Sequence, residues 1–307
     1  MGKQQQSGWL TTLFSIFLVL ILQIIPPLVK AQNFMVLPRV TAGIMHYELE
    51  FGGEKGTSII QDKVKLDDEL PFLGVGATLV YDKFAVDAYY QTTNTADIDD
   101  NGTFLVGTSE VSYIRNTELE RQDFALSFGY SFARNWSLSF GYKYGETNYD
   151  WTTDLEQDGK GETVGEAFKN NSFVAKGPFL GVGYNLPLWK GVLAFNVAAA
   201  LLDGEITTSR VHKQGDSLEV KLINRNRKEK VVANAMGVTL GVNWIQPITE
   251  RLSYSILLQG FKYDFNANRG VFRDSFYSDK DHEILDIDAF DVEETVYSIN
   301  MSLSYRF

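Results

Sequence analysis

The chain has 307 residues with no cysteine, 28 Lys and Arg against 39 Asp and Glu, and a net charge of −11. The absence of cysteine excludes disulfide scaffolds, cysteine metal centres, cysteine nucleophiles and lipobox-anchored lipoproteins, and the acidic balance argues against nucleic acid as a partner. With 21 Phe, 15 Tyr and 26 Gly beside only 7 Pro, the composition favours strands over helices.

Residues 1–31 read as an export signal. Lys3 gives the positive start, Leu13 to Ile25 the apolar run, and Val29-Lys30-Ala31 the small or branched cleavage positions, so the mature domain is expected to span 32–307. The alternative, an uncleaved membrane helix, is disfavoured. The run is shorter than the ~20 apolar residues a span requires and is closed by Pro26-Pro27.

Beyond the signal the chain alternates with a period of two. Leu73-Val75-Ala77-Leu79-Tyr81 stand against Gly74, Gly76 and Thr78, and Phe124-Leu126-Phe128-Tyr130 against Ala125, Ser127 and Gly129. The pattern predicts ten strands, near 39–51, 72–81, 84–93, 118–131, 136–149, 177–186, 192–204, 231–244, 251–265 and 294–307. Eight or twelve are the alternatives if the long connections lack or hide a hairpin.

Connections alternate in length. Asp82-Lys83, 133–135, 187–191 and 245–250 are short, whereas 52–71, 94–117, 150–176, 205–230 and 266–293 are long. This is the plan of an antiparallel up-and-down transmembrane β-barrel, all-β, with periplasmic turns and external loops. Only closed hydrogen bonding spans hydrocarbon, so the lipid-facing side chains are expected to be apolar. Tyr81, Phe84, Tyr130, Phe132, Trp136, Tyr184, Trp244, Tyr305 and Phe307 then fall at the periplasmic ends as an aromatic girdle. A soluble β-sandwich also alternates, but needs neither girdle nor alternating connection lengths.

The last strand, Tyr297 to Phe307, alternates strictly and ends on an aromatic residue. This resembles the terminal signal of bacterial outer-membrane β-barrel proteins and identifies no particular member. The resemblance implies a Gram-negative outer-membrane location, assembly by the barrel-assembly machinery, and lipid with lipopolysaccharide as surroundings.

Carried through each strand, the alternation predicts a lumen lined by small residues, with larger inward residues at Glu48, Glu50, Asp87, Tyr89, Gln91, Asp123, Lys143, Arg251, Gln259, Phe261, Tyr263 and Arg306. Across the hairpin at 133–135, Asp123 and Lys143 lie opposite or one diagonal step apart, so an ion pair is expected. A lumen so sparsely lined leaves space for water unless a loop fills it. The expected function is therefore a narrow porin-like channel for small solutes or ions, with Asp87, Asp123, Lys143, Gln259 and Arg306 on its wall. The alternative is a non-conducting barrel acting through acidic external loops as an adhesin, binding or structural protein. Oligomeric state is left open.

Four of the five long connections are acidic, and 205–230, with Lys221, Arg225, Arg227, Lys228 and Lys230, is basic. That stretch suits lipopolysaccharide phosphates or balances its acidic neighbours. Asp97, Asp99, Asn101 and Gly102 match the opening of a calcium loop. The closing Glu is missing, because the pattern places it at Thr108. A solvated acidic turn explains the segment as well, and no other cofactor is expected.

No enzyme is expected either. A ten-stranded barrel of this size is similar to the omptin proteases, whose site needs an Asp-x-His pair, yet Arg210-Val211 precedes His212. The His-x-Ser element of outer-membrane phospholipase A and lipid A deacylases is also absent at His46, His212 and His282.

Overall fold

A computed structural model describes residues 34–53, 64–106, 109–157, 163–214, 226–274, 278–283 and 290–307. The predicted export signal lies outside them. The strands are β1 (Phe34–Gly53), β2 (Val64–Tyr81), β3 (Phe84–Thr93), β4 (Ala96–Val106), β5 (Ser109–Ser131), β6 (Trp136–Gln157), β7 (Thr163–Leu188), β8 (Gly191–Gln214), β9 (Asn226–Pro247), β10 (Leu252–Asp274), β11 (Ser278–Glu283) and β12 (Phe290–Tyr305).

All pairings are antiparallel, and β12 joins both β1 and β10, so the sheet closes into a barrel of ten staves. Strands β3 and β4 form one stave. Between the pairs Thr92/Gln122 and Ala96/Leu119 the stave carries one extra residue, a bulge beside which the Thr93 hydroxyl accepts the Arg121 backbone N–H at 2.8 Å. Strand β11 folds back on the outer end of β10.

The predicted strand count holds, but the predicted loops are much shorter. Most of 94–117, 150–176 and 205–230 continues the ladder. Strand β7 alone has 26 residues, roughly 65 Å along the barrel axis at ~3.3 Å per residue and ~40° of tilt. An apolar band is only ~25 Å tall, so the staves rise far above it.

At the opposite end the turns are tight. Tyr81 pairs with Phe84 around Asp82-Lys83, with Asp82 at φ 52°, and Leu188 pairs with Gly191 around Trp189-Lys190, with Trp189 at φ 48°. Positive φ at the first turn residue suits the twist of two-residue hairpins. The predicted girdle forms at this end as ring pairs: Phe34–Tyr81 at 4.5 Å, Phe84–Tyr130 at 5.2 Å, Trp136–Tyr184 at 4.8 Å and Tyr305–Phe307 at 4.8 Å.

Within one strand the apolar face changes sides. Near the girdle the apolar residues point outward, as at Val40 and Ile44 on β1 and at Phe140 on β6. Higher up they point inward: Tyr47, Leu49 and Phe51 on β1, and Tyr149 on β6, are buried inside the barrel. Strands β2, β8, β9, β10 and β12 do the same. Outside the bilayer the exterior meets water, so the lumen becomes the place where apolar area is removed from solvent. Glu48 and Glu50, expected inside, are consequently on the outer wall, since both lie on the opposite parity to buried Tyr47, Leu49 and Phe51.

Close packing inside leaves little tolerance at glycines. A Cβ on Gly177 would collide with the Leu201 carbonyl oxygen of the adjacent strand. Because that obstacle is backbone, Gly177→Ala is expected to cost about 1–3 kcal/mol by overpacking, read as a lower midpoint in urea unfolding from vesicles.

Candidate functional site: the lumen

The lumen is layered. Lowest is an ion pair that reaches across β2: Arg39 of β1 grips Asp87 of β3 through two bonds, Nη1 to Oδ1 at 2.5 Å and Nη2 to Oδ2 at 2.9 Å. The Thr78 hydroxyl donates to the same carboxylate at 2.5 Å, and the Arg39 guanidinium lies 5.1 Å from the centre of the Tyr89 ring. Both charged side chains keep some exposure, 21% and 29%.

Above the pair is a cavity of about 370 Å³ whose wall includes Asp87, Gln91, Asp123, Lys143, Gln259 and Asn300. Four of the five residues predicted to line a pore, Asp87, Asp123, Lys143 and Gln259, are thus on its wall. Arg306 is not. It follows the end of β12 at the exposed periplasmic rim, where its N–H donates to the Arg251 carbonyl at 2.7 Å.

The expected Asp123–Lys143 ion pair does not form. Asp123 faces Gly145, and Lys143 faces Ala125 one diagonal step away. Asp123 is taken instead by Arg121, two residues earlier on the same face of β5, through Nε to Oδ2 at 2.9 Å and Nη2 to Oδ1 at 2.8 Å, and by Gln91 at 2.9 Å. Gly145 makes room for this fork, since a Cβ there would stand 2.8 Å from both groups. Lys143 donates to the Tyr263 hydroxyl at 2.8 Å and lies 4.1 Å from the Phe261 ring centre. An ammonium over an aromatic face is attracted by the ring quadrupole.

Arg121 forms the ceiling. It is 1% exposed. Besides Asp123 it bonds Glu294 Oε1 at 2.5 Å and Thr147 Oγ1 at 3.0 Å, with the Tyr47 ring centre 4.8 Å away. The Thr147 hydroxyl donates to the Tyr47 hydroxyl at 2.8 Å. One cation thus ties β5 to β6 and, across the lumen, to β12. Above it Leu70, Phe72, Tyr149, Phe173 and Phe265 are buried in one apolar cluster that packs across the lumen.

Arg39, Arg121, Glu294 and Tyr47 were not singled out from the sequence. Arg121 was within reach, because it shares the inward parity of Asp123 inside the predicted 118–131 strand. Glu294 was within reach in the same way, on the inward parity of the predicted 294–307 strand, but its meeting with Arg121 was not, since 173 residues separate the two.

The Asp97–Asn101 segment is in strand β4, not in a wrapping loop. An extended backbone sets alternate residues roughly 7 Å apart along one face instead of converging on one ion. Asp99 accepts a bond from Asn116 Nδ2 at 2.9 Å, and the Asn101 side chain lies outside the described residues. In the basic stretch, Lys230 pairs with Glu205 on the next strand at 2.7 Å. The side chains of Lys221, Arg225, Arg227 and Lys228 lie outside the described residues.

No curated protein sequence matches the chain. Among solved structures it is similar to the outer membrane protease OmpT from Escherichia coli, at 12% identity and a TM-score of 0.61 over 89% of this chain and 97% of that one. It is also similar to the translocator domain of autotransporter NalP from Neisseria meningitidis, at 12% identity and a TM-score of 0.42 over 88% of both chains. The Pseudomonas putida toluene transporter TodX matches at 9% identity and a TM-score of 0.32 over 90% of both. The OmpT likeness speaks to the fold alone. The family described as the Legionella pneumophila major outer membrane protein precursor matches residues 88–263, more than half of the chain. With its closed ten-stave barrel, apolar belt and periplasmic girdle, the chain belongs to this family and is an outer-membrane β-barrel protein.

Proposed function

We propose that the barrel is a non-conducting outer-membrane wall that acts through its tall, polar external surface. The observation behind this reading is the apolar cluster packed across the lumen, where Tyr47, Leu49, Leu70, Tyr149 and Tyr263 are each 0% exposed. A path for water or ions would have to part these side chains and leave Arg121, Asp123 and Glu294 without one another. Burying such charges unpaired costs several kcal/mol.

A second reading, passage of small solutes or ions through a gated narrow lumen, draws support from the polar cavity below the ceiling. Planar-bilayer conductance of the refolded 32–307 chain separates the two, after a heat-dependent gel shift shows a closed barrel. The first reading expects no steps. Reproducible openings whose ion preference changes in Asp123→Ala or Lys143→Ala would overturn it in favour of the channel. Neither reading includes catalysis, and the purified barrel is expected to leave peptides and lipids intact.

A further inference from the structure

On the outer wall, the apolar lipid-facing residues of β1 end at Ile44, and those of β2 end at Leu73. Above this edge the register sets Glu48 directly opposite Asp67 and His46 opposite Glu69. Like charges directly across a strand pair destabilise it, so Glu48 and Asp67 call for a cation. Lys65 now supplies one, its Nζ 3.3 Å from Glu48 and 3.1 Å from Asp67. His46 converges on the same carboxylate from the other side, its Nε2 3.4 Å from Asp67 Oδ1 while Lys65 holds Oδ2. The imidazole is held against the Tyr297 ring, with centroids 6.4 Å apart and planes 17° from parallel.

We propose that His46, Glu48 and Asp67 form a divalent transition-metal site on the outer wall at the lipid boundary, with Lys65 as the cation that the metal displaces. One ligand atom from each residue already lies within 4.8 Å of the others. Bringing them to the roughly 3.4 Å spacing of a tetrahedral shell with ~2.0–2.1 Å bonds needs side-chain movement only. A nitrogen and two carboxylate oxygens suit zinc and its first-row neighbours better than calcium or magnesium. Three protein ligands leave a fourth position open, facing outward. Imidazole is the discriminating group, since its lone pair binds a first-row metal far more strongly than it accepts a hydrogen bond from an ammonium. Lys65, 49% exposed on a flexible stem, gives up two solvent-exposed ion pairs at small cost and regains side-chain freedom as it moves aside. This site is independent of whether the lumen conducts.

The test is calorimetric titration of zinc chloride into the refolded 32–307 barrel carrying His212→Ala and His282→Ala, so that His46 is the remaining imidazole. One zinc per barrel is expected. His46→Ala should weaken binding by about tenfold or more through loss of one of three ligands, and Lys65→Met should tighten it by removing the competing ammonium. Each variant is first checked for closure by the gel shift, and His46→Gln replaces His46→Ala if the latter fails to close. Zinc binding unchanged without His46, weakened in Lys65→Met, or absent from the parent barrel would overturn the proposal.

Discussion

Replacing Arg121 by methionine is expected to lower the stability of the barrel by about 3–5 kcal/mol, the cost of removing one partner from a buried ionic cluster. The side chain is 1% exposed and holds Asp123 and Glu294 together. Without it two carboxylates face each other across a lumen with little water. The expected observation is a large fall in the urea midpoint from lipid vesicles. The cause can be separated from lost packing by a rescue. Adding Asp123→Asn and Glu294→Gln to Arg121→Met removes the uncompensated charges, and most of the loss should return, because a neutral cluster of similar volume costs little more than the original. A loss below about 1 kcal/mol, or a triple variant no better than the single one, would show that the cluster does not brace the walls.

The second large effect concerns the seal. Tyr47 and Tyr263 are both 0% exposed members of the apolar cluster, and Tyr263 is also on the cavity wall. Tyr263 is packed so closely that a Cβ on Gly237 would strike its ring. Truncation therefore leaves a void rather than a readjusted wall. Each replacement by alanine is expected to cost several kcal/mol in stability, up to about 5. The pair Tyr47→Ala, Tyr263→Ala is expected to turn a silent barrel into one with stepwise conductance. Leu201→Ala, on the lipid face at 61% exposure, serves as the silent control. A closed double variant that stays silent would show that the seal does not reside in these two rings.

Much of the barrel is legible in the sequence because a membrane imposes one rule on every strand it contains. Apolar residues out and small residues in place Gly74, Ser127, Ser139 and Gly241 on the inner face from alternation alone, and the girdle follows from aromatic residues near short turns. The same rule misplaces Glu48 and Glu50. Between Ile44 and Tyr47 the surroundings of β1 change from lipid to water, and the inward face takes over the apolar residues while the period stays at two. Keeping the parity of Ile44 leaves Glu48 and Glu50 outside; following the apolar residues past the bilayer edge is what carries the wrong face upward. The outer strands were read as loops for a related reason: beyond the bilayer a paired strand no longer needs an apolar exterior, so its signature thins to scattered pairs such as Tyr149 and Trp151. The Arg121 cluster depends on closure of the cylinder, which brings β12 opposite β5, and no local spacing encodes that meeting.

The height of the staves has a consequence at the cell surface. Proteases cleave a chain they can draw out, extended, into a cleft of their own, and antibodies favour loops that adapt to their contour. A backbone already engaged on both sides by neighbouring strands offers neither. Along the described strands, what protrudes from this cell is therefore a rigid rampart, resistant along its flanks.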